Sequence, residues 1–597
     1  MPLLPRLKQN LPAIILFVFF LSLYIYTAAP TIYSGDSGEI AAAVNTLGLA
    51  HPTGFPLYMM IGKLFTLLLP IGDVAHHLNI FSALLTAISV ALLFILLRSL
   101  GMGDISSILA SIIFGFGRNT IWANAGTVNV YAISLFFTLI LLNIFIKWKQ
   151  NENKKYLYWY AIIFGLSLGG HVIMIVMGIP FLMMLWREVR IHRQFKILSG
   201  AIVLSLLPLS QYLYLWLAYT RNTVMTWGSV GSFRDFFNYI TQRDYVNKIA
   251  ARTLNSSVLF ANTLVKFLIS EFTIPFFIII LLGLFILARK NKHLFLLLIS
   301  LVAANILIMF LYGNDNDLFI LARYISIPYV VCAISLAYFF DTLFKLVSLK
   351  KKGGYILVLG VIFILIGLQL KTALAFNNRH NNFIINDFTE NAFSSIDSDS
   401  IFITTGDPIT GPAWYFQSIN RRNDIIIISG DLVRYNWYIE NLAKRYPDII
   451  NKKLLETQGV GNRLVEIFKD NISHRKIYSI SNELKNENAT AFEFVPIGLV
   501  NRIVLKDTDI REILTSSKEW QNYKLRNIKA NFYKDAMVDN MTIYYIYALN
   551  NTGMAYFRNG FLDEGEYLLR KALDIGKDYR VESNLNQIIQ QKLLIKH

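Results

Sequence analysis

The sequence predicts a mainly α-helical, polytopic membrane domain of about eleven spans, followed by a small α/β soluble domain and a C-terminal helical segment. Three observations predict it. Of the 597 residues, 54% are hydrophobic and only 16% charged, with a mean hydropathy of +0.46. Apolar runs recur up to about residue 370. After Lys371 the composition turns polar and stays so. These shifts divide the chain into a membrane domain (1–371, with an outer loop at 30–77), an extracytoplasmic α/β domain (372–530) and a helical tail (531–597).

The net charge of +17 does not mark a nucleic-acid binder. Much of the basic excess lies in short clusters between apolar runs, where it sets topology. The single cysteine, Cys332, lies within an apolar run and forms no disulfide framework or thiolate metal site. The first run, 11–29, lacks a small-residue cleavage pattern and reads as an anchor rather than a removed signal peptide.

Further apolar runs fall near 56–70, 78–97, 105–122, 127–146, 156–186, 197–219, 270–288, 293–312, 319–344 and 355–370. Between them stand Arg6/Lys8, Arg98, Lys147–Lys155, Arg187–Lys196, Arg289–Lys292 and Lys345–Lys352. The positive-inside rule places all of these on one side, so successive clusters are separated by an even number of crossings. Residues 56–70, with Pro56, Lys63 and Pro70, then lie in or re-enter the interface. Residues 156–186 cross twice, turning near Gly169-Gly170-His171, with short legs of about 15 residues. The N-terminus is inside and the C-terminus outside. The span bodies hold almost no ionisable side chains, unlike a transporter that buries carboxylates at mid-membrane.

Polar chemistry gathers instead in the outer segments. In GDSGEIAAAVNTLGLAHPTGFPLY (Gly35–Tyr58), Asp36 and Glu39 fit a capping box at a helix start. They equally fit a catalytic carboxylate held by that start, since one oxygen can cap while the other faces a cleft. The helix over 39–47 is expected along the interface. His51, in a Pro/Gly turn, either bonds its own turn or donates to a phosphate. Trp122–Asn124 and Asn129–Tyr131 flank another outer turn, consistent with an aromatic belt. His171 sits at the hairpin turn with no ligand spacing around it, so a metal site has no support there. Trp227–Phe236 reads as a turn leading into an amphipathic helix through Tyr245, a lid over the outer face. Arg323 either snorkels or clamps a lipid-linked phosphate.

In the tail, Ile401–Asp407 and Asp424–Ser429 read as strands with a helix at 411–420 between them. No Gly-rich phosphate loop appears, so nucleotide binding is unsupported. Residues 551–573 are similar to one tetratricopeptide unit or to a plain helical hairpin. A lone repeat must pack on the α/β domain or on a partner.

The Gly35–Tyr58 segment, followed by His77-Leu78-Asn79-Ile80-Phe81-Ser82-Ala83-Leu84, resembles the N-terminal signature of the transmembrane protein 260-like protein O-mannosyltransferases of the GT-C superfamily. WANAGTVNVYA (122–132), GLSLGGH (165–171), the Trp227 loop (226–245), IFITTGDPITGPAWYFQ (401–417), NDIIIISGDLVRYNWY (423–438) and FVPIGLV (494–500) resemble its later motifs in order. The family pattern has Glu-Val-Tyr where this chain has Asn129-Val130-Tyr131, and Asn-His where it has Gly170-His171.

The resemblance implies an inverting glycosyltransferase that moves a sugar, mannose, from a polyprenyl-phosphate donor to a hydroxyl acceptor on a protein or glycan. It implies Asp36 as general base with Glu39 orienting it or the acceptor. His51 and Arg323 would stabilise the leaving phosphate. Asn129, Tyr131, His171 and Trp227, within the matched motifs, are candidate substrate contacts. No cofactor is assigned, although a carboxylate beside a phosphate invites a divalent cation. The expected setting is a multi-pass protein in membrane lipid, with its outer face in a bacterial periplasm, or in the endoplasmic reticulum lumen of a eukaryote. The competing classes are a transporter or flippase of lipid-linked glycans and a non-catalytic assembly scaffold.

Overall fold

A computed structural model describes residues 3–69, 71–190, 195–243, 253–312, 315, 318, 321–348, 352–480, 491–530 and 532–596. Among these, nine helices are long and apolar enough to cross a membrane, from Asn10–Thr27 to Gly353–Asn377. The shorter helices Asp104–Gly115 and Lys154–Leu168 fill the two remaining places in the expected order of spans. The chain does turn at Gly169-Gly170 between Lys154–Leu168 and the helical stretch beginning at Val172. Pro56–Leu68 forms a separate short apolar helix, with Leu64, Leu67 and Leu68 on its open side.

Several spans carry cations at the same end. Val74–Ser99 has Arg98 in its last turn, Tyr131–Asn151 has Lys149 and Ser326–Ser348 has Lys345. The 21-residue helix Tyr131–Asn151 rises about 30 Å, close to a hydrocarbon thickness. A carboxylate lies in the body of the span Leu254–Lys290. Glu271, fully buried beside the break at Thr273, accepts the backbone N–H groups of Asn119, Thr120 and Ile121 at 2.5, 3.0 and 3.1 Å. It supplies the partners that the start of the short helix Ile121–Ala125 lacks. Thr120 in turn donates its hydroxyl to the carbonyl of Ala322, which fixes the backbone next to Arg323.

The soluble domain is built on a five-stranded sheet of order β2-β1-β3-β5-β4. Strands β1 (Ile401–Thr404), β2 (Ile426–Ser429) and β3 (Ile477–Ser479) run parallel, while β4 (Phe492–Ile497) and β5 (Val500–Leu505) form an antiparallel hairpin. All residues of β1 and β2 are buried, as expected for parallel strands covered on both faces. The tail forms helices Ala536–Arg558, Leu562–Ile575 and Tyr579–Lys596. The first of these packs on the sheet, where the Thr552 hydroxyl accepts the N–H of Gly498 at 2.9 Å.

The helix that follows Asp36, Ser37–Thr46, is enclosed by protein. Residues 37–44 are buried, and the soluble-domain helix Asp407–Ser418 packs across them. Glycines make the crossing close: a Cβ on Gly38 would stand 2.5 Å from the backbone nitrogen of Pro412. Asn45 donates its amide to the carbonyl of Ser418 at 2.7 Å, pinning the other end. The soluble domain therefore sits directly on the outer loop.

Candidate active site

Asp36 occupies the N-cap position of Ser37–Thr46, but its side chain makes no cap hydrogen bond. The expected capping box is absent, because Glu39 is engaged elsewhere. Glu39 Oε1 accepts the backbone N–H of His51 at 2.7 Å, and Oε2 lies 2.7 Å from His51 Nδ1. The Asp36 carboxylate instead faces Arg323, with Oδ2 3.7 Å from Nη1. Gly35 permits this approach. Its φ of +67° suits glycine, and a Cβ there would stand 3.2 Å from the guanidinium.

These groups line one cavity of ≈ 450 Å³. Val172, Ile173, Ile308 and Met309 contribute a wall from the spans, and Asp407, Thr410, Asp431 and Arg434 another from the soluble domain. Seven of the candidates named from the sequence meet there: Asp36, Glu39, His51, Tyr131, His171, Trp227 and Arg323. Asn129 does not line it. Its side-chain oxygen accepts the N–H groups of Tyr131 and Ala132, and its amide donates to the carbonyls of Asn124 and Thr127. As a candidate substrate contact it is corrected to a cap that starts the next span. Trp122 is likewise not a belt residue, being fully buried with Nε1 donating to Thr27 at 2.9 Å.

The loop around Trp227 is fastened to the loop around His51. Leu49 donates its N–H to Met225, Trp227 donates back to Leu49, and the Tyr239 hydroxyl donates to the carbonyl of Ala50. Trp227 therefore meets His51 edge-on at 6.1 Å. The amphipathic helix after the turn spans Phe233–Ile240. Its expected end at Asp244-Tyr245, and most of Gly313–Asp317 before Arg323, lie outside the described residues.

The charge states follow from surroundings. Burial pushes the His51 imidazole down, but Glu39, with Asp36 and Asp407 behind it, outweighs burial and raises it to about 9. His51 is thus a cation at neutral pH. His171 goes the other way: burial, with His51 adding to it, lowers it to about 3. Its Nδ1 accepts the N–H of Ile173 at 3.1 Å, so the proton of the neutral ring sits on Nε2. His171 stacks on Phe55 at 5.6 Å and packs beside Tyr131 and Tyr324. Asp407 is open to the cavity yet enclosed by surrounding protein; this enclosure, then Asp36 and Glu39, raise it to about 6.

Asp407 and Asp431 went unnoticed in the sequence. They stand just past the carboxyl ends of the adjacent parallel strands β1 and β2, where open parallel sheets bind ligands. Gly406 donates its N–H to Asp431 Oδ2 at 2.7 Å, joining the two turns. The signal was available: both strands exit through Gly-Asp, at Gly406-Asp407 and Gly430-Asp431. No group of three or more His, Cys, Asp or Glu side chains is arranged to hold a metal ion among the described residues. The cations that face the cavity carboxylates are Arg323, His51 and Arg434.

The helical membrane bundle, with its polar cavity under an outer loop, defines the class as a membrane protein of the GT-C fold. ArnT from Cupriavidus metallidurans, solved bound to undecaprenyl phosphate, superposes with a TM-score of 0.55 over 83% of this chain and 98% of that one, at 10% identity, a likeness of fold alone. Residues 36–193 match the protein O-mannosyl-transferase TMEM260 N-terminal domain, and residues 385–450 match TMEM260-associated domain 2. The resemblance read from the sequence is thus borne out.

The protein O-mannosyl-transferase TMEM260 of Mus musculus is 24% identical over 469 residues, covering 73% of this chain and 65% of the relative. That of Dictyostelium discoideum is 21% identical over 551 residues, covering 83% and 66%. The chain therefore spans just under two thirds of the length of these relatives.

Proposed function

We propose that the chain is an integral-membrane glycosyltransferase. It moves a sugar, mannose, from a polyprenyl-phosphate donor to a hydroxyl acceptor, a protein Ser or Thr, with inversion at the extracytoplasmic face. The observation that carries this reading is the uncapped Asp36 carboxylate, which shares one cavity with two cations, Arg323 and His51. Such a pairing suits a displacement in which one side gains a proton and the other gains phosphate charge.

The acceptor hydroxyl attacks the anomeric carbon while Asp36 takes its proton. The bond from that carbon to the phosphate oxygen breaks, and the electron pair leaves with the lipid phosphate. One displacement from the opposite side inverts the centre. Arg323 and imidazolium His51 meet the developing charge from fixed positions, which avoids reorganisation at the moment of reaction. The apolar wall of Val172, Ile173, Ile308 and Met309 suits the isoprenoid next to the phosphate. Support for a lipid phosphate also comes from the undecaprenyl phosphate bound by the fold neighbour, and support for mannose and protein from the activity in the relatives' names. Charge supports the face: the cavity lies at the Tyr131 and Ser326 ends of helices whose other ends carry Lys149 and Lys345.

The test is reconstitution. Purified full-length chain in lipid, given radiolabelled polyprenyl-phosphate mannose and Ser/Thr-containing peptides, should release polyprenyl phosphate and label the peptide. The new linkage should have the anomeric configuration opposite to the donor's. Absence of label transfer under these conditions removes the reading, and retained configuration removes the single displacement.

A further inference from the structure

Arg323 stands on a very short element. Leu321–Tyr324 is a single helical turn of four residues. An isolated turn does not hold itself, because helix nucleation is unfavourable. Partners on other elements set its position. Asn305, fully buried in the span Lys292–Tyr312, donates its amide to the carbonyl of Tyr324 at 3.2 Å. Thr120, also buried, donates its hydroxyl to the carbonyl of Ala322, the residue directly before Arg323. The guanidinium carried by this turn is the one that faces Asp36 in the cavity.

Thr120 has a local use for that hydroxyl and does not make it. It is the N-cap of the short helix Ile121–Ala125, where a threonine ordinarily accepts an N–H of the first turn, yet its side chain makes no cap bond. Other groups do that work. Glu271 Oε1 accepts the N–H of Ile121 at 3.1 Å, and the carbonyl of Gly117 accepts that of Trp122 at 2.9 Å. Glu271 Oε2 accepts the N–H of Thr120 itself at 3.0 Å, so this residue is anchored by its backbone while its side chain reaches Ala322. Gly117 makes room for the anchor, since a Cβ there would overlap Glu271 Oε1. A carboxylate buried in a span body is costly. Satisfying the helix start alone calls for no charge, because the Thr120 hydroxyl stands at the capping position already. The arrangement is accounted for when that hydroxyl is needed at Ala322.

We infer that Thr120 is a positioning residue for Arg323. It does not line the cavity and touches neither substrate. It acts by fixing the backbone from which the guanidinium reaches the leaving phosphate, with Glu271 as its anchor. The inference rests on the transfer reaction proposed above and adds what aims its arginine.

The experiment uses the full chain in lipid nanodiscs, as wild type, Thr120→Val, Thr120→Ser, Arg323→Met and the Thr120→Val/Arg323→Met pair. Transfer is followed with radiolabelled polyprenyl-phosphate mannose and a Thr-containing peptide. Thr120→Val keeps the shape and loses the hydroxyl. It should lower kcat about tenfold, through a buried carbonyl left unpaired next to Arg323, with acceptor KM within about twofold of wild type. Thr120→Ser restores the hydroxyl and should recover kcat to within about threefold. In the Arg323→Met background, Thr120→Val should cost less than about twofold more, because residues acting through one another are not additive. A full further loss on top of Arg323→Met, or equal losses in the valine and serine forms, overturns the inference.

A second readout needs no turnover. Phenylglyoxal labels accessible guanidinium groups, and mass spectrometry of the digested chain gives the rate at Arg323. That rate should rise about threefold in Thr120→Val and not in Thr120→Ser, the size of effect expected for one lost hydrogen bond. Arg463, buried in the soluble domain, is the control and should keep its rate. An unchanged rate at Arg323, or a rise shared by Arg463, overturns the inference. If the rate at Arg323 alone shifts but wild type transfers nothing, the positioning stands and the proposed reaction falls.

Discussion

Glu39 holds His51 at two points, one carboxylate oxygen on the backbone N–H and the other on Nδ1, both at 2.7 Å. The grip fixes the ring's position and its charge together. It also explains why Glu39 is not the reciprocal cap that its spacing from Asp36 suggested. Both oxygens are committed to His51, and Asp36 is left to the cavity.

Asp36→Asn should abolish most transfer while leaving the fold intact. The side chain makes no cap hydrogen bond, so the isosteric amide keeps the helix start while removing the base and its charge opposite Arg323. A fall of about 10²–10⁴-fold in kcat is expected for loss of a general base. Full activity in the variant would take the role of base away from Asp36.

Arg323 should resist conservative exchange. Lysine keeps the charge but loses the planar fork, and Arg323→Lys should lower kcat/KM for the donor by about tenfold, with Arg323→Met lowering it by about 10²–10³. Donor-concentration series on both variants give the comparison. Equal activity of the lysine and methionine forms would show that the cation is not used.

Activity should fall at alkaline pH. His51 is held at about 9 against an ordinary 6.5, so its positive charge, and the stability it lends with Glu39, is complete below about 6.5 and disappears as pH rises through about 9. A pH–rate profile should show a falling limb near 9. Asp407, ionised above about 6, helps hold that charge, so Asp407→Asn should move the limb to lower pH. A limb that stays in place in the variant would separate the two residues.

Gly38→Ala should damage the seat of the soluble domain. Its new Cβ would lie 2.5 Å from the Pro412 nitrogen and 2.8 Å from the Gly411 oxygen, both backbone atoms that cannot step aside. A loss of about 1–3 kcal/mol is typical of such overpacking. Calorimetry and transfer assays should report it together, since the helix that moves is the one beginning at Asp36.

Asp535→Asn should loosen the tail from the outer loop. Asp535 Oδ1 accepts the N–H groups of Met537 and Val538, and Oδ2 accepts the Ser34 hydroxyl at 2.6 Å. An amide there loses one acceptor oxygen while still able to cap its helix, so the main effect should fall on activity. Asp535→Ala removes both and should also lose about 1 kcal/mol of stability.

Much of this was legible locally. Hydropathy and cation clusters located the spans, because a bilayer imposes length and charge rules that act on contiguous sequence. The Gly35–Tyr58 segment disclosed Asp36, Glu39 and His51, since acids beside a membrane need a reason. What stayed hidden depends on distant partners. Asn45 meets Ser418 across 373 residues, and Ser34 meets Asp535 across 501. No periodicity encodes such meetings. Asn129 misled for the opposite reason: an asparagine in an outer turn fits a ligand contact as well as a cap, and only its bonds to Tyr131 and Ala132 decide.

The crossing of Gly38 over Gly411 makes the two halves of this protein non-interchangeable. A chimera carrying the membrane half of one relative and the soluble half of another would have to match a fit with no room for a single methyl group. Inheritance of the pair should therefore be joint, and a soluble half expressed by itself would bring Asp407, Asp431 and Arg434 but none of Asp36, His51 and Arg323.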